Sequence, residues 1–432
     1  MKTLDPVRAV FTATALLLFV SCGGLSVEPR APAPPADDAA AVTTARVPAF
    51  LTDTIAAIQA DYAPDRRVAR FDVEAEWTEA GLVLTGTTDQ PAAAERLTRA
   101  LAAHGLDWDD EVVRLPDLAP GEAGWALVNI SVANLRSEPR HPSELSTQAP
   151  LGTPLRVLER RGGWLLVQVP NGYLSWVDGG GVHRVDQAEL EAHRRADKVI
   201  YLQPDGVARS APSHAAPPVA DLVAGGLLVR LGSEAGFHRV MFPDGREAYV
   251  AEAESALFEE WTRATRATEE SLLAVAMSFL GRPYLWGGTS PKGMDCSGFT
   301  KTVYLLNGLV IPRDASQQIH AGMLVEHAGD FSTLRPGDLL FFGRPATATT
   351  PERVVHVGMW VGDNRFIHAS GRIRLNSVRP EDPDYDAYNT GRYLRTKRIL
   401  GDETGVHRLA DDALYPRNGR FAPAATAGPA VR

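Results

Sequence analysis

The chain has 432 residues, with 44 Lys and Arg against 53 Asp and Glu, for a formal net charge of −9. That balance argues against nucleic acid as the main partner. With 44% hydrophobic and 22% charged residues it is an ordinary globular chain with ample core, long enough for about three domains.

A basic start, Met1-Lys2 to Arg8, leads into an apolar run from Ala9 to Val20 and then Ser21-Cys22-Gly23-Gly24. This predicts a secretory signal over 1–22; the run is too short to span a bilayer. Ser21-Cys22 resembles a bacterial lipobox, with Phe19 where Leu is usual. The resemblance implies that Cys22 is lipidated and anchors the exported chain at a membrane surface. Residues 23–46, rich in Pro, Ala and Asp, read as a disordered tether. Residues 47–118 predict a small α/β module. Leu51, Ile55 and Ile58 have helical spacing, Phe71–Trp77 alternates as a strand, and Leu82–Thr85 is a second strand. A helix runs from Pro91 to His104 and stops at Gly105, and Val112-Val113 suggests a third strand. No catalytic constellation is visible here, so a spacer or interaction module is expected.

An internal repeat follows. Gly163-Trp164 through Pro170-Asn171-Gly172-Tyr173 to Trp176-Val177 recurs as Gly236-Phe237 through Pro243-Asp244-Gly245-Arg246 to Tyr249-Val250. Arg136-Ser137 and Pro139 recur as Arg209-Ser210 and Pro212 at the same offset, so the repeat is ungapped. Short strands, Asn-Gly and Asp-Gly turns and scattered aromatics predict two small β-barrels, over 122–185 and 190–256. The first copy carries Glu138, Glu144 and Tyr173; the second has Ala211, Pro217 and Arg246 instead.

Further on, a helix from Leu272 to Leu280 precedes a Gly- and Pro-rich loop that ends in Asp295-Cys296-Ser297-Gly298. Phe299, Val303 and Leu306 then repeat at helical spacing until Asn307-Gly308. Cys296 therefore falls in the first turn of a helix, where free N–H groups and the dipole favour an anion and should lower the thiol pKa. The only other cysteine is Cys22, so Cys296 has no disulfide or metal companion. A thiolate nucleophile needs a base. His356 and His368 flank a turn at Gly362-Asp363-Asn364, and antiparallel pairing should set them close to opposite each other, on one face. His320 and His327 lack this arrangement and read as surface residues. Periodicity fades from 402, and the Pro/Ala-rich segment 402–432 reads as a tail.

Tyr284-Leu-Trp-Gly-Gly, Asp295-Cys-Ser-Gly-Phe, Leu334-Arg-Pro-Gly-Asp, His356-Val-Gly-Met-Trp and His368-Ala-Ser together resemble the NlpC-type (NlpC/p60) papain-like cysteine peptidases of bacterial cell walls, over roughly 265–400. The resemblance implies Cys296 as nucleophile, His356 as base and His368 as third polar residue. It sets Tyr284 beside the nucleophile, with Asp295, Ser297 and Asp314 flanking the substrate. Relatives often have serine after that aspartate; here Ala315 stands there, which removes one substrate hydrogen bond. The repeat resembles bacterial SH3-type domains. Its stretch Ala133–Gln148 resembles the first such domain of γ-D-glutamyl-L-diamino-acid endopeptidases of the dipeptidyl-peptidase VI type. In those enzymes a glutamate and a tyrosine bind the free amine of an N-terminal L-alanine. The matching residues are Glu144 and Tyr173, with Glu138 as an alternative, and a carboxylate facing an ammonium is a sound selector.

The expected architecture is a multidomain α+β chain: a papain-like α+β catalytic domain behind two SH3-like β-barrels and a small N-terminal α/β module. The expected partners are peptidoglycan stem peptides or muropeptides, with a membrane engaged through Cys22; no metal or cofactor is required. Three alternatives stay open: a general wall endopeptidase, an acyl or peptidyl transferase using the same thioester, and a non-catalytic wall-binding lipoprotein.

Overall fold

The computed structural model describes residues 47–326 and 331–411. The expected signal segment, Cys22, the tether and His327 lie outside the described residues. In the N-terminal module, helices Ala49–Tyr62 and Pro91–Ala103 cover a sheet built on the antiparallel pair Phe71–Thr78 and Gly81–Thr88. Alternation drives it: Phe71, Val73, Leu82 and Leu84 turn inward to meet Leu51, Ile58, Leu97 and Leu101. Two short strands, Trp108–Asp110 and Val113–Arg114, add to Gly81–Thr88 in parallel. Gly105, at φ +64°, ends the second helix in the left-handed conformation that glycine tolerates best.

The repeat becomes two seven-stranded sheets of matching strand plan. The offset that takes Gly163 to Gly236, 73 residues, also takes Val132–Arg136 to Asp205–Arg209, Leu145–Pro150 to Pro218–Val223 and Pro154–Arg161 to Leu227–Glu234. Gly172 and Gly245 hold the two corresponding turns at φ +85° and +84°. Each domain has its own core, Leu135, Leu155, Val157 and Val167 in the first, Leu222, Leu228, Val240 and Val250 in the second. Leu145–Pro150 is the edge strand of the first sheet and faces the Gly- and Pro-rich loop that precedes Cys296.

The last domain sets helices Glu269–Ser278 and Cys296–Leu305 against a six-stranded antiparallel sheet. Its strand order is Met323–Val325, Tyr393–Arg398, Leu339–Arg344, Arg353–Gly362, Arg365–Ser370, Arg372–Ser377. Phe299 and Val303 on the second helix pack with Leu272, Ala276, Phe341, Val357, Met359 and Ile367 in one core. The expected tail does not begin at 402: Val406 and Leu409 are buried, and His407–Arg408 pairs antiparallel with Leu309–Val310. Two spaced apolar residues suffice to dock a segment whose composition shows no period.

Candidate active site

Asp295 caps the helix Cys296–Leu305, its Oδ1 accepting from the Gly298 N–H at 2.6 Å. Cys296 is thus the first helical residue, and it is buried. Its own N–H has no intrahelical carbonyl to reach, as at any helix start. Cys296 packs in one buried cluster with Val357, which sets the thiol against the strand that carries His356.

The expected fall in the thiol pKa is not what this environment produces. Burial pushes Cys296 up to about 12, and the neighbouring Asp295 carboxylate adds to the rise. The Val357 and Ser297 N–H groups and Arg313 pull the other way without reversing it. The helix start favours an anion locally, but desolvation outweighs it.

The two histidines are brought together, though not as directly opposed residues. A bulge near Trp360 to Gly362 shifts the register, so Met359 pairs with Ile367 and His356 and His368 stand diagonally. Gly358 leaves room for the contact: a Cβ there would lie 2.7 Å from the Phe366 ring and 3.4 Å from His368 Cβ. His356 Nε2 lies 2.8 Å from His368 Nδ1, and His368 Nε2 lies 2.9 Å from Asn376 Oδ1.

The direction of this chain follows from its far end. Asn376 Nδ2 donates to the Asp384 carbonyl at 2.7 Å, so its Oδ1 is the atom facing His368. His368 must then carry its proton on Nε2 and accept at Nδ1, so His356 donates from Nε2. The free lone pair of His356 is therefore on Nδ1. Burial keeps both imidazoles neutral near pH 7: it lowers His356 far below the usual histidine range and takes His368 down to about 4.

Next to Cys296, Asp295 meets Arg313 in a buried fork, Nη2 to Oδ2 at 2.6 Å and Nη1 to Oδ1 at 3.2 Å. Ser297 Oγ donates to Asp295 Oδ1 at 3.2 Å and accepts from Arg313 Nη1 at 2.9 Å. Asp295 Oδ2 also takes the Gly287 N–H at 3.0 Å, tying the glycine loop to the helix start. Asp295 and Ser297 thus build the floor of the site and do not line its surface. Tyr284 is half-buried; burial raises its phenol, and the proximity of Cys296 raises it further.

The first β-domain closes one side. Arg313 Nε donates to Thr147 Oγ1 at 3.2 Å, and Thr289 both donates to Gln148 Oε1 through its N–H and bonds the Gln148 carbonyl through its hydroxyl, at 2.9 and 3.0 Å. Glu144 Oε1 accepts from the exposed Trp286 Nε1 at 2.6 Å, and Tyr173 OH donates to Asp314 Oδ2 at 3.3 Å. Both residues therefore lie on the seam between the first β-domain and the last domain, Glu144 against the loop before Cys296 and Tyr173 against Asp314. Glu138, the alternative to Glu144, pairs instead with Arg140.

Sequence reasoning missed three contributors. Arg313 follows the apolar run Leu309-Val310-Ile311-Pro312, and an arginine closing such a run is the available signal. Asn376 lies on a strand beyond the hairpin, where an asparagine in an alternating stretch could have been marked. Arg67, from the N-terminal module, donates to Asp314 Oδ2 at 2.7 Å across 247 residues of chain, and no local pattern announces that.

Residues 281–393 match the model of the NlpC/P60 family, and residues 135–180 that of the bacterial dipeptidyl-peptidase Sh3 domain. The chain is similar to gamma-D-glutamyl-L-lysine dipeptidyl-peptidase of Bacillus cereus, 29% identical over 269 residues, which is 58% of this chain and 76% of that protein. It is similarly related to dipeptidyl-peptidase 6 of Lysinibacillus sphaericus, 29% identical over 269 residues, 60% of this chain and 94% of the relative. The crystal structure of an NlpC/P60 family protein from Bacillus cereus shares the fold, with a TM-score of 0.55 at 24% identity over 64% of this chain and 99% of that one. This multidomain α+β chain therefore carries an NlpC/P60 domain of papain-like fold together with a bacterial dipeptidyl-peptidase SH3 domain.

Proposed function

We propose that the protein is a cysteine endopeptidase of the bacterial cell wall. It cleaves the bond between γ-D-Glu and the L-diamino acid in peptidoglycan stem peptides that carry a free N-terminal L-Ala. The observation that carries the reading is the polarised chain from Asn376 through His368 to His356, on the strand whose Val357 packs with Cys296 at a helix start. The names of the two peptidase relatives support the bond class.

In this reading His356 Nδ1 takes the Cys296 proton as the sulfur attacks the γ-carbonyl of D-Glu. The new imidazolium is stabilised by His368, which accepts its Nε2–H, while the negative charge passes to the carbonyl oxygen. The developing oxyanion is met by the Cys296 N–H and by the Tyr284 phenol, which burial keeps protonated. Collapse breaks the C–N bond, and His356 gives its proton to the leaving α-amine of the diamino acid. Water then attacks the thioester, losing a proton to His356, and L-Ala-γ-D-Glu leaves as the thiol is restored. Glu144 and Tyr173 recognise the terminal ammonium from the first β-domain, with Asp314 alongside.

Export and a lipid anchor at Cys22 belong to the same proposal, resting on the signal-like segment and its Ser21-Cys22 end. Loss of labelled fatty-acid incorporation in Cys22→Ala is the expected result; unchanged incorporation would overturn the anchor. For the reaction, mass spectrometry of L-Ala-γ-D-Glu-L-Lys and its diaminopimelate counterpart should find free dipeptide and free diamino acid. Cys296→Ala should abolish both. Joined products would mean transfer rather than hydrolysis, and intact peptides would remove the assignment.

A further inference from the structure

The N-terminal module reaches Asp314 and its helix through the segment Asp65–Arg67. Asp65 grips Arg67 with both oxygens, Oδ1 to Nε at 2.7 Å and Oδ2 to Nη2 at 2.8 Å. The remaining guanidinium nitrogen, Nη1, donates to Asp314 Oδ2 at 2.7 Å and to Ser316 Oγ at 3.0 Å. Gln317 Nε2 donates to Asp65 Oδ2 at 2.7 Å, and the Leu174 N–H donates to the Arg67 carbonyl at 2.7 Å. One arginine thus sits where three domains meet, on the same Asp314 oxygen that accepts from Tyr173 OH.

The other oxygen of Asp314 also faces a cation: Oδ1 lies 3.7 Å from Arg313 Nη1. A carboxylate selects an ammonium through an oxygen not already committed to another positive charge. Here both oxygens face guanidinium groups. Arg313 is fully buried and fixed on Asp295, so it cannot yield. Arg67 can: its side chain is 37% exposed and that of Asp314 25%, and ion pairs this open exchange with solvent at small cost.

The geometry points to Arg67 as a specificity-determining residue that holds the cation position on Asp314 and competes there with the terminal ammonium of the substrate. This rests on the function proposed above and adds to it: the N-terminal module tunes amine selection. A peptide with a free amine must displace Arg67 from Asp314, whereas an N-acylated peptide makes no such demand. Free-amine selectivity in the native chain is therefore weaker than Glu144, Tyr173 and Asp314 would give alone.

The test is binding of L-Ala-γ-D-Glu and of its N-acetyl twin, measured by calorimetry on the full chain and on Arg67→Met and Arg67→Lys. Arg67→Met keeps the length of the side chain and the backbone bond to Leu174 but removes the charge. It should tighten the Kd of the free-amine dipeptide about three- to tenfold, leave the N-acetyl dipeptide unchanged, and Arg67→Lys should stay near wild type. Equal shifts for both dipeptides, no shift, or weaker free-amine binding would each overturn the inference. Turnover of L-Ala-γ-D-Glu-L-Lys, followed in parallel, reads the proposed reaction separately: selective tightening without cleavage would keep the role of Arg67 and sink the peptidase reading.

Discussion

Replacing Asn376 by Leu tests the proton chain where it is anchored. Asn376 Oδ1 fixes the His368 tautomer from 2.9 Å, while the next acceptor, Asp386 Oδ2, lies 3.9 Å from the same nitrogen and is held by Asn389 Nδ2 at 2.6 Å. Without Asn376 the fully buried His368 either leaves its Nε2–H unsatisfied or moves the proton to Nδ1. The first outcome costs about 1–3 kcal/mol of stability. The second forces His356 to accept at Nε2 and carry its proton on Nδ1, which removes the lone pair the proposed base needs. General-base assistance is worth about 10²- to 10⁴-fold, and kcat should fall within that range while KM changes little. Kinetics on the tripeptide give the loss, and two-bond proton–nitrogen NMR correlations of the imidazoles read the tautomers directly. An Asn376→Leu protein with kcat near wild type, or with unaltered tautomers, would refute the chain as the device that aims His356.

Burial of neutral His368 makes stability depend on pH. Its pKa is about 4 in the fold against an ordinary 6.5, so the unfolded chain binds a proton that the folded one refuses. Stability is full above pH 6.5 and falls as pH drops from 6.5 to 4, by about 3 kcal/mol for this residue; chemical denaturation at pH 7.5 and 4.5 should differ accordingly, and equal midpoints would contradict it. Arg313→Met strands the buried Asp295 carboxylate and should cost about 3–5 kcal/mol; a cost below about 1 kcal/mol would mean the pair behaves as a surface ion pair. Gly287→Ala puts a Cβ 1.9 Å from the Leu145 carbonyl at a residue with φ +79°. It should cost about 1–3 kcal/mol and raise KM, because Leu145 adjoins Glu144; unchanged kinetics would separate the first β-domain from substrate binding.

Features set by local periodicity were readable from the chain. The cysteine-bearing helix has its Asp295 cap and its Asn307-Gly308 end within one short stretch, and the hairpin turn is written as Gly362-Asp363-Asn364, with Asp363 and Asn364 at φ +49° and +59°. The repeat was visible because every strand keeps one offset. What escaped was decided by three-dimensional packing. The thiol pKa turns on how deeply the helix start is buried, which no window of residues encodes. The diagonal placement of the histidines depends on a single bulge. Asp65 and Arg67 sit in Pro64-Asp65-Arg66-Arg67, which reads as a solvated turn until the fold sets it against Asp314 and Gln317. The same holds for Val406 and Leu409, whose burial depends on the surface they meet.

The most direct test of the central claim is to trap the covalent intermediate. Acid-quenched reactions with L-Ala-γ-D-Glu-L-Lys, followed by peptide mapping under conditions that preserve thioesters, should find the L-Ala-γ-D-Glu acyl group on the peptide containing Cys296, and no such adduct in Cys296→Ala. Continued turnover in Cys296→Ala, or an acyl group on a different residue, would contradict it.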